Sequence, residues 1–516
     1  RNYRTLHSET QFSGGTGWMD SIRTFLFLLV LLRLVLFLDA FTIENDFGHC
    51  ESTVKKWASS SHNLEIKEDR HTLQDLLFFL HVPRTGGRTY FHCFLQKLYP
   101  RSMACPRSYD KLRFDPSKSN CRLLVTHDDY SVSLKLPKQK TSVVTILRNP
   151  LDRVFSTYEF SVEVASRFLV HPSLKSSIQM SEKLRSKSKG VSTLDIWPWK
   201  YLVPWMMEDL FGRRDARKHR SQNSVSSNDS YNMDIFVMPL HEYINNPIAK
   251  DIIHNGATLQ VAGLTNNSYS AESHEVRRCV QNHPALGHYV LEVAKRRLDE
   301  MLYVGLTEDH RESATMFANV VGAQVISQVS TLVSNMENAA INLSAQNSSF
   351  ADSEPEIGHS INNTIYPNHS QMAPMDNAEE ATGNVTVKKL MEDYGDCTRH
   401  LRRLESRRRT ASLKMISPVN FSKEARLRVS EGVVEQIMKL NDLDVELYGH
   451  ARGIFARQHE HMFEKLVGWE GQERWVGNVW EGVQCWRVGA LAVMIVFSLV
   501  AVAVVKARRR TSKIKV

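Results

Sequence analysis

Continuous apolar runs separated by helical spacing set the expected architecture. Leu76 to Val82 is an unbroken apolar stretch, the pattern of a strand buried on both faces of a parallel sheet. Pro83 ends it, and Arg84 to Thr89 form a short basic loop that contains Gly86 and Gly87. From Thr89 to Leu98 the spacing becomes helical, with Phe91, Phe94, Leu95 and Leu98 on one face. Arg122 to Thr126 reads as a second short buried strand, and Thr141 to Leu147 as a third. Pro150 and Asp152 mark the start of a helix whose core stripe is Leu151, Phe155, Tyr158 and Val162. Asp234 to Pro239 reads as another strand. Ala294 to Leu302 is helical and leads into Tyr303 to Glu308, a strand with its loop. Ser430 to Arg457 returns to helical spacing. Strands alternating with helices predict an α/β fold with a central parallel sheet flanked by helices.

Polar stretches divide these elements. Residues 41–75 and 101–120 are polar, and 170–195 and 213–230 are basic, Ser-rich loops. Between the last two, Trp197, Trp199, Tyr201 and Trp205 form an aromatic cluster, expected to be core packing rather than the lining of an acceptor cleft. Residues 325–385 lack periodicity and read as an insertion. Arg399 to Arg409 holds six arginines and one acid, a solvated helical face that can also attract an acidic substrate.

Two further apolar runs change the picture. Thr24 to Leu38 follows Met19-Asp-Ser-Ile-Arg23, which predicts a signal peptide over 19–40 with cleavage after Ala40, and a translated leader over 1–18. Val488 to Val505 is a charge-free run at the minimum length of a spanning helix, and the basic segment 506–516 follows it. A C-terminal transmembrane helix at 488–505, with a cytosolic tail and a luminal catalytic part, is therefore expected. Trp475, Trp480 and Trp486 suit the luminal interface. The net charge of +9 contains +6 from that tail and +1 from residues 1–40, which leaves about +2 for 41–505. The basic balance is thus no argument for nucleic acid.

A luminal chain accounts for eight N-x-[ST] sequons at Asn228, Asn266, Asn342, Asn347, Asn362, Asn368, Asn384 and Asn420. It also accounts for the cysteines Cys50, Cys93, Cys105, Cys121, Cys279 and Cys397, enough for three disulfides. Six cysteines allow fifteen pairings. Cys105 with Cys121 is the closest plausible pair, and Cys485 stands beside the apolar run. No C-x-x-C or His cluster suggests a metal site.

Chemistry concentrates at three strand ends. Strand, glycine loop and helix together aim backbone N–H groups and a helix N-terminus at an anion, and Arg84 and Arg88 add fixed positive charge. The Walker spacing is absent, and an ordinary strand–turn–helix with two surface arginines fits the same residues. Arg148 precedes the helix that starts at Pro150, and Ser156 follows eight residues later, so a guanidinium and a hydroxyl can hold one phosphate. His127-Asp-Asp-Tyr130 sits where the second strand ends, at the edge where α/β sheets place ligands, although a surface His at a turn fits it too.

Taken together these segments resemble Golgi sulfotransferases of the heparan sulfate 6-O-sulfotransferase type, and within them the plant tyrosylprotein sulfotransferase branch. His81-Val-Pro-Arg-Thr-Gly-Gly-Arg-Thr-Tyr-Phe91 is similar to the family's 5′-phosphosulfate loop. Ile146 to Ser156 is similar to its 3′-phosphate motif, with the same Arg-to-Ser spacing. Asn255 to Leu264, Gly305 to Glu308, Ile416-Ser-Pro and Leu440 to Tyr448 resemble later family segments. The resemblance implies a P-loop-like sulfotransferase fold with 76–324 and 412–470 as its two parts, 325–411 as a glycosylated insertion and basic helix, and 488–505 as the membrane helix. It implies 3′-phosphoadenosine 5′-phosphosulfate (PAPS) as donor and no metal. Arg84, Thr85, Gly86, Gly87, Arg88 and Thr89 would hold the 5′ side, and Arg148 and Ser156 the 3′-phosphate. His127 falls where the family places its base, and Arg84 stands where the glycan enzymes of the family generally have Lys.

The implied mechanism is in-line attack of an acceptor hydroxyl on sulfur. His127 takes the proton, and Arg84 with the loop N–H groups takes up charge on the leaving phosphate. A phenol near pKa 10 gives up its proton more readily than a sugar alcohol, and a neutral imidazole is a suitable acceptor. The expectation is an enzyme of the Golgi membrane, single-pass type I, that sulfates tyrosines of acidic secreted peptide precursors. Its rivals are a polysaccharide sulfotransferase with the same donor and a non-catalytic type I glycoprotein that would have lost the nucleotide motifs.

Overall fold

β1 (Leu76–Leu80), β2 (Leu123–Thr126), β3 (Thr141–Leu147) and β4 (Tyr303–Leu306) are buried along their whole length. Such runs are stable only with both sheet faces covered, which is what parallel strands with crossover helices provide. The computed structural model describes Phe25, Leu28 and residues 46–61, 71–99, 101–105, 121–187, 193–219, 229–331 and 386–464. In it the four strands form one parallel sheet in the order β2-β1-β3-β4. The chain goes from β1 outward to β2, then returns to the other side of β1 to lay down β3. That reversal leaves a crevice at the carboxyl ends of β1 and β3, the place where open α/β sheets bind ligands.

Two parts of the sequence reading are corrected here. Asp234 to Pro239 is not a strand. Phe236 N and Val237 N both turn back to Met233 O, and Arg213 and Arg217 donate to the carbonyls of Asp234 and Ile235. Guanidinium groups thus take the backbone bonds that a neighbouring strand would have supplied. Residues 170–195 and 213–230 are also not simply loops, because Leu174–Lys187 is helical and the helix Trp199–Lys218 runs into the second stretch.

Helices cover both faces. α1 spans 46–61, and α2 spans 87–98 with a π-turn at Phe91–Leu95. α3 (Pro150–Ser166) starts as its sequence signals: Asn149 Oδ1 accepts from the N–H groups of Leu151 and Asp152, and Pro150 takes the first helical position. α4 (Leu174–Lys187) and α5 (Trp199–Lys218) follow. Of the expected aromatic cluster, Trp197 and Trp199 are buried in the core, Trp205 is half-buried, and Tyr201 is exposed, which corrects its placement in the core. α6 (Leu240–Asn245), α7 (Pro247–Ile253) and α8 (Gly256–Val261) are short and consecutive. α9 (Ser273–Asn282), α10 (Gly287–Asp299) and α11 (His310–Phe317, running on to 331) complete the first segment. The chain resumes with α12 (Val387–Leu413), α13 (Glu431–Lys439) and α14 (442–464).

Long-range bonds tie the returning segment to the sheet. The disulfides are Cys50–Cys279, Cys93–Cys397 and Cys105–Cys121. The last is the pair expected from proximity, and the first two close loops of 229 and 304 residues. Cys93–Cys397 pins α12 to α2, where Phe94 and Tyr394 stack at 4.1 Å. In the interior Arg153 donates to Asp444 Oδ2 at 2.7 Å, with both side chains 1% exposed. The remaining lone pairs of Asp444 accept Ala257 N at 3.2 Å, Thr258 N at 2.7 Å and the Thr258 hydroxyl at 2.7 Å. One carboxylate thus caps α8 and neutralises α3.

The expected C-terminal transmembrane helix is corrected. No helix among the described residues is long and apolar enough to cross a membrane. The run 488–505 that suggested one lies outside the described residues, as do 1–18, nearly all of 19–40, 332–385 and 506–516.

Asp444→Ala should be severely destabilising. It leaves a buried guanidinium unpaired and two amide groups without acceptors, a loss of about 3–5 kcal/mol. Urea unfolding with the disulfides intact measures it, and Arg153→Met/Asp444→Leu should recover part of the loss. A second expectation concerns acid. His254 donates Nε2–H to Ile244 O at 2.7 Å, and burial holds its pKa below the ordinary value. The folded state therefore takes up this proton later than the unfolded chain. His254 costs no stability above the unfolded value of about 6.5 and costs progressively more as pH falls below it. Melting temperatures at pH 7.5 and 5.5 should diverge, and His254→Asn should narrow the gap.

Candidate active site

The loop after β1 is held open by its own backbone. Thr85 Oγ1 donates to Val82 O at 2.8 Å, and Thr89 N donates to Gly86 O at 2.9 Å. Arg84 has φ 67° and Gly86 φ 82°. Left-handed geometry is free for glycine, but for arginine it costs on the order of 1 kcal/mol. The fold pays that cost at Arg84, a residue expected at the chemistry. Thr307 braces the loop from behind: its hydroxyl donates to Thr85 O at 2.7 Å, and its N–H donates to Leu147 O at 2.9 Å. Gly87 opens α2 against the His81 ring. A Cβ there would lie 2.4 Å from His81 Cδ2, so no other residue fits without moving that ring.

The two nucleotide motifs meet in space. Arg84 Nε donates to Ser156 Oγ at 2.9 Å, and Arg148 donates from a terminal guanidinium nitrogen to Arg84 O at 3.2 Å. The Arg84 guanidinium lies over the Phe160 ring, 4.4 Å from its centre, and Phe160 packs edge-on against Trp199. Burial, and after it the charge of Arg148, bring Arg84 down to about 10. Burial also lowers Arg148, whose enclosed Nε has no hydrogen-bond partner. The nearby Glu159 does not cancel these charges fully, because Arg426 and Arg409 already hold it at 2.7 and 3.1 Å. Two confined guanidiniums and a hydroxyl suit a phosphate group.

His127 follows β2 and is buried. Its Nδ1 lies 2.7 Å from His81 O. A carbonyl only accepts, so Nδ1 carries the proton, and in the neutral ring Nε2 keeps its lone pair. The His81 and His127 rings touch at 4.1 Å. His81 therefore lies between Gly87 of the loop and His127, and it connects the anion-binding edge to the imidazole. Gln260 Nε2 donates to His127 O at 2.9 Å.

All the residues singled out in the sequence stand at the carboxyl edge of β1, β2 and β3 or at the start of the helices that follow. Arg84, Arg148 and Ser156 touch directly, whereas His127 joins them through His81. Gln260, Thr307 and Phe160 were not singled out. Gln260 and Thr307 do fall within segments that carry the family resemblance, while Phe160 shows only as the residue one helical turn beyond Ser156. The basic run on α12 divides. Arg408 and Arg409 face Glu163 and Glu159, and Arg403 and Arg407 are exposed. Far from this edge, Asp46, Cys50 and His283 have metal-ligand atoms within 4.8 Å of one another, but the Cys50 sulfur is committed to its disulfide.

No family model matches the chain. It is similar to the curated protein-tyrosine sulfotransferase of Arabidopsis thaliana, 53% identical over 485 residues that cover 92% of this chain and 95% of that protein. An alignment of that extent takes in the strand-end loops, the Arg–Ser pair and the returning helices alike. The chain therefore belongs to the plant tyrosylprotein sulfotransferase family.

Proposed function

We propose that this protein-tyrosine sulfotransferase uses PAPS as its donor and modifies acidic, secreted peptide precursors in the lumen of the Golgi. The observation that carries the donor assignment is the contact between the two nucleotide motifs: Arg84, Arg148 and Ser156 form one confined cationic site. The loop N–H groups from Gly86 to Arg88 and the side chains of Arg84, Thr85, Arg88 and Thr89 would hold the 5′-phosphosulfate, and Arg148 and Ser156 the 3′-phosphate. Three disulfides among the described residues support an oxidising compartment.

Each protein group then has one task. His127 Nε2 accepts the phenolic proton as the tyrosine oxygen forms its bond to sulfur. The bond between sulfur and the bridging phosphate oxygen breaks, and its electron pair stays on that oxygen. Arg84 takes up this charge as a fixed donor, because a guanidinium does not give up its proton at neutral pH. Phe160 beneath Arg84 keeps the fork in place, so little reorganises during transfer. The carbonyl of His81 stabilises the protonated imidazole through Nδ1–H.

His127→Ala should lower kcat at least about 100-fold while donor binding stays intact. Arg148→Ala should instead weaken binding of adenosine 3′,5′-bisphosphate, roughly ten- to a hundredfold, as expected for one lost charged hydrogen-bond partner. Calorimetry and radiolabel transfer separate these effects. The acceptor assay compares an acidic tyrosine peptide, its Tyr→Phe version and a heparan-type glycan. Label on the tyrosine peptide alone supports the assignment, and label on the glycan alone overturns the acceptor class.

A further inference from the structure

We propose that Gln260 is a positioning residue for the transfer reaction, holding His127 through main-chain carbonyls where β1 and β2 part. This rests on the reading of His127 as the base. The ladder between the two strands ends at the pairs Leu80 with Thr126. Beyond it the chains must separate to admit ligand, and the carbonyls of His81, His127 and Asp128 leave the regular ladder inside a buried region. Gln260 reaches all three. Its Nε2 lies 2.9 Å from His127 O, 3.3 Å from Asp128 O and 3.4 Å from His81 O.

The chemistry of the amide fits that role. A primary amide carries two hydrogens and can share them among clustered carbonyls, which no apolar side chain can do. Gln260 is 1% exposed and sits in α8 among Leu259, Val261 and Ala262, themselves buried. A buried polar side chain without partners is costly, so a glutamine is tolerated here because the strand ends need donors. His81 O is the shared point. It accepts Nδ1–H of His127 at 2.7 Å and faces the Gln260 amide as well. The amide therefore fixes the carbonyl that sets the tautomer of His127, together with the backbone that carries the ring.

α8 can hold this position because its other end is fixed. Asp444 caps its first turn and pairs with Arg153 on α3, three residues before Ser156. The 3′-phosphate motif and the base thus lie at two ends of one buried chain of hydrogen bonds. Loss of Gln260 should misplace the base without disturbing the cationic site.

The test uses the full-length chain, PAPS and the tyrosine peptide. Gln260→Met keeps the length and removes both donors. The expected result is a fall in kcat of about ten- to a hundredfold. The dissociation constant of adenosine 3′,5′-bisphosphate should stay within about twofold, because the groups that hold it are untouched. In the His127→Ala background the same substitution should change the residual rate less than about twofold, since coupled residues are not additive. Three results would each overturn the proposal: unchanged kcat in folded Gln260→Met, an equal fall in the His127→Ala background, or a matching loss of nucleotide binding. If Gln260→Met does not fold, Gln260→Glu carries the same comparisons. Parent-like kcat in His127→Ala alone shows that the base assignment itself is wrong, which separates that failure from a failure of Gln260.

Discussion

One buried ion pair determines how the two halves of this fold meet. Arg153 lies in the second turn of α3, and Asp444 comes almost 300 residues later, beyond a long insertion. Neither charge is tolerable alone in a dry interior, because desolvation costs several kcal/mol per ion. Each finds its partners only in the assembled fold: the terminal nitrogens of Arg153 at Asp444 and Ile252 O, Asp444 at Arg153 and the first turn of α8. The pair is therefore weak evidence of net stabilisation. It ties the returning segment to α3 and to the first turn of α8, which carry Ser156 and Gln260. The neighbouring loops reinforce it, since Asn255 accepts from the N–H groups of Leu443 and Asp444 while donating to Asp442.

The second constraint is topological. Parallel strands that reverse direction of growth leave their carboxyl ends splayed, and splayed ends expose carbonyls, N–H groups and helix starts together. Such an edge attracts anions, but it is also a defect in hydrogen bonding. The molecule repairs it with side chains rather than backbone. The Thr307 hydroxyl satisfies the carbonyl of Thr85, the Gln260 amide those of His81 and His127, and Glu308 accepts Asn149 N while Tyr448 donates to it. Most of these repairs come from elements far along the chain. The site is rigid only once the sheet, α8, the β4 loop and α14 are in place.

This explains what the sequence shows and what it conceals. β1, β2 and β3 are legible because strands buried on both faces must be continuously apolar, and α3 because its proline and acid lie within three residues. The meeting of Arg84, Arg148 and Ser156 is legible because each stands at or just beyond the end of an apolar strand run, at short spacing. Asp234 to Pro239 misleads because its apolar run from Ile235 to Met238 describes a half-buried turn as well as a strand, and the distant Arg213 and Arg217 decide between them. α4 is missed because its Ser- and Lys-rich surface overrides a weak apolar stripe. Arg153, Gln260 and Asp444 are concealed for a different reason: each owes its role to a partner more than 90 residues away. The C-terminal apolar run 488–505 lies outside the described residues, among which no helix is long and apolar enough to cross a membrane.

Arginine at position 84 brings the constraints together. A lysine there would be a point charge on a flexible stem, free to follow its anion. A guanidinium is flat and directional, so it is useful only if its plane is fixed. Here three groups fix it: the left-handed backbone of Arg84 itself, the Ser156 hydroxyl and the Phe160 ring braced by Trp199. Phe160 lies one turn beyond Ser156 on α3, so both side-chain supports belong to the helix that Arg153 anchors. The residue proposed to stabilise the leaving phosphate is thus oriented by the same helix that carries Ser156. A change in how α3 docks would alter nucleotide binding and charge stabilisation together.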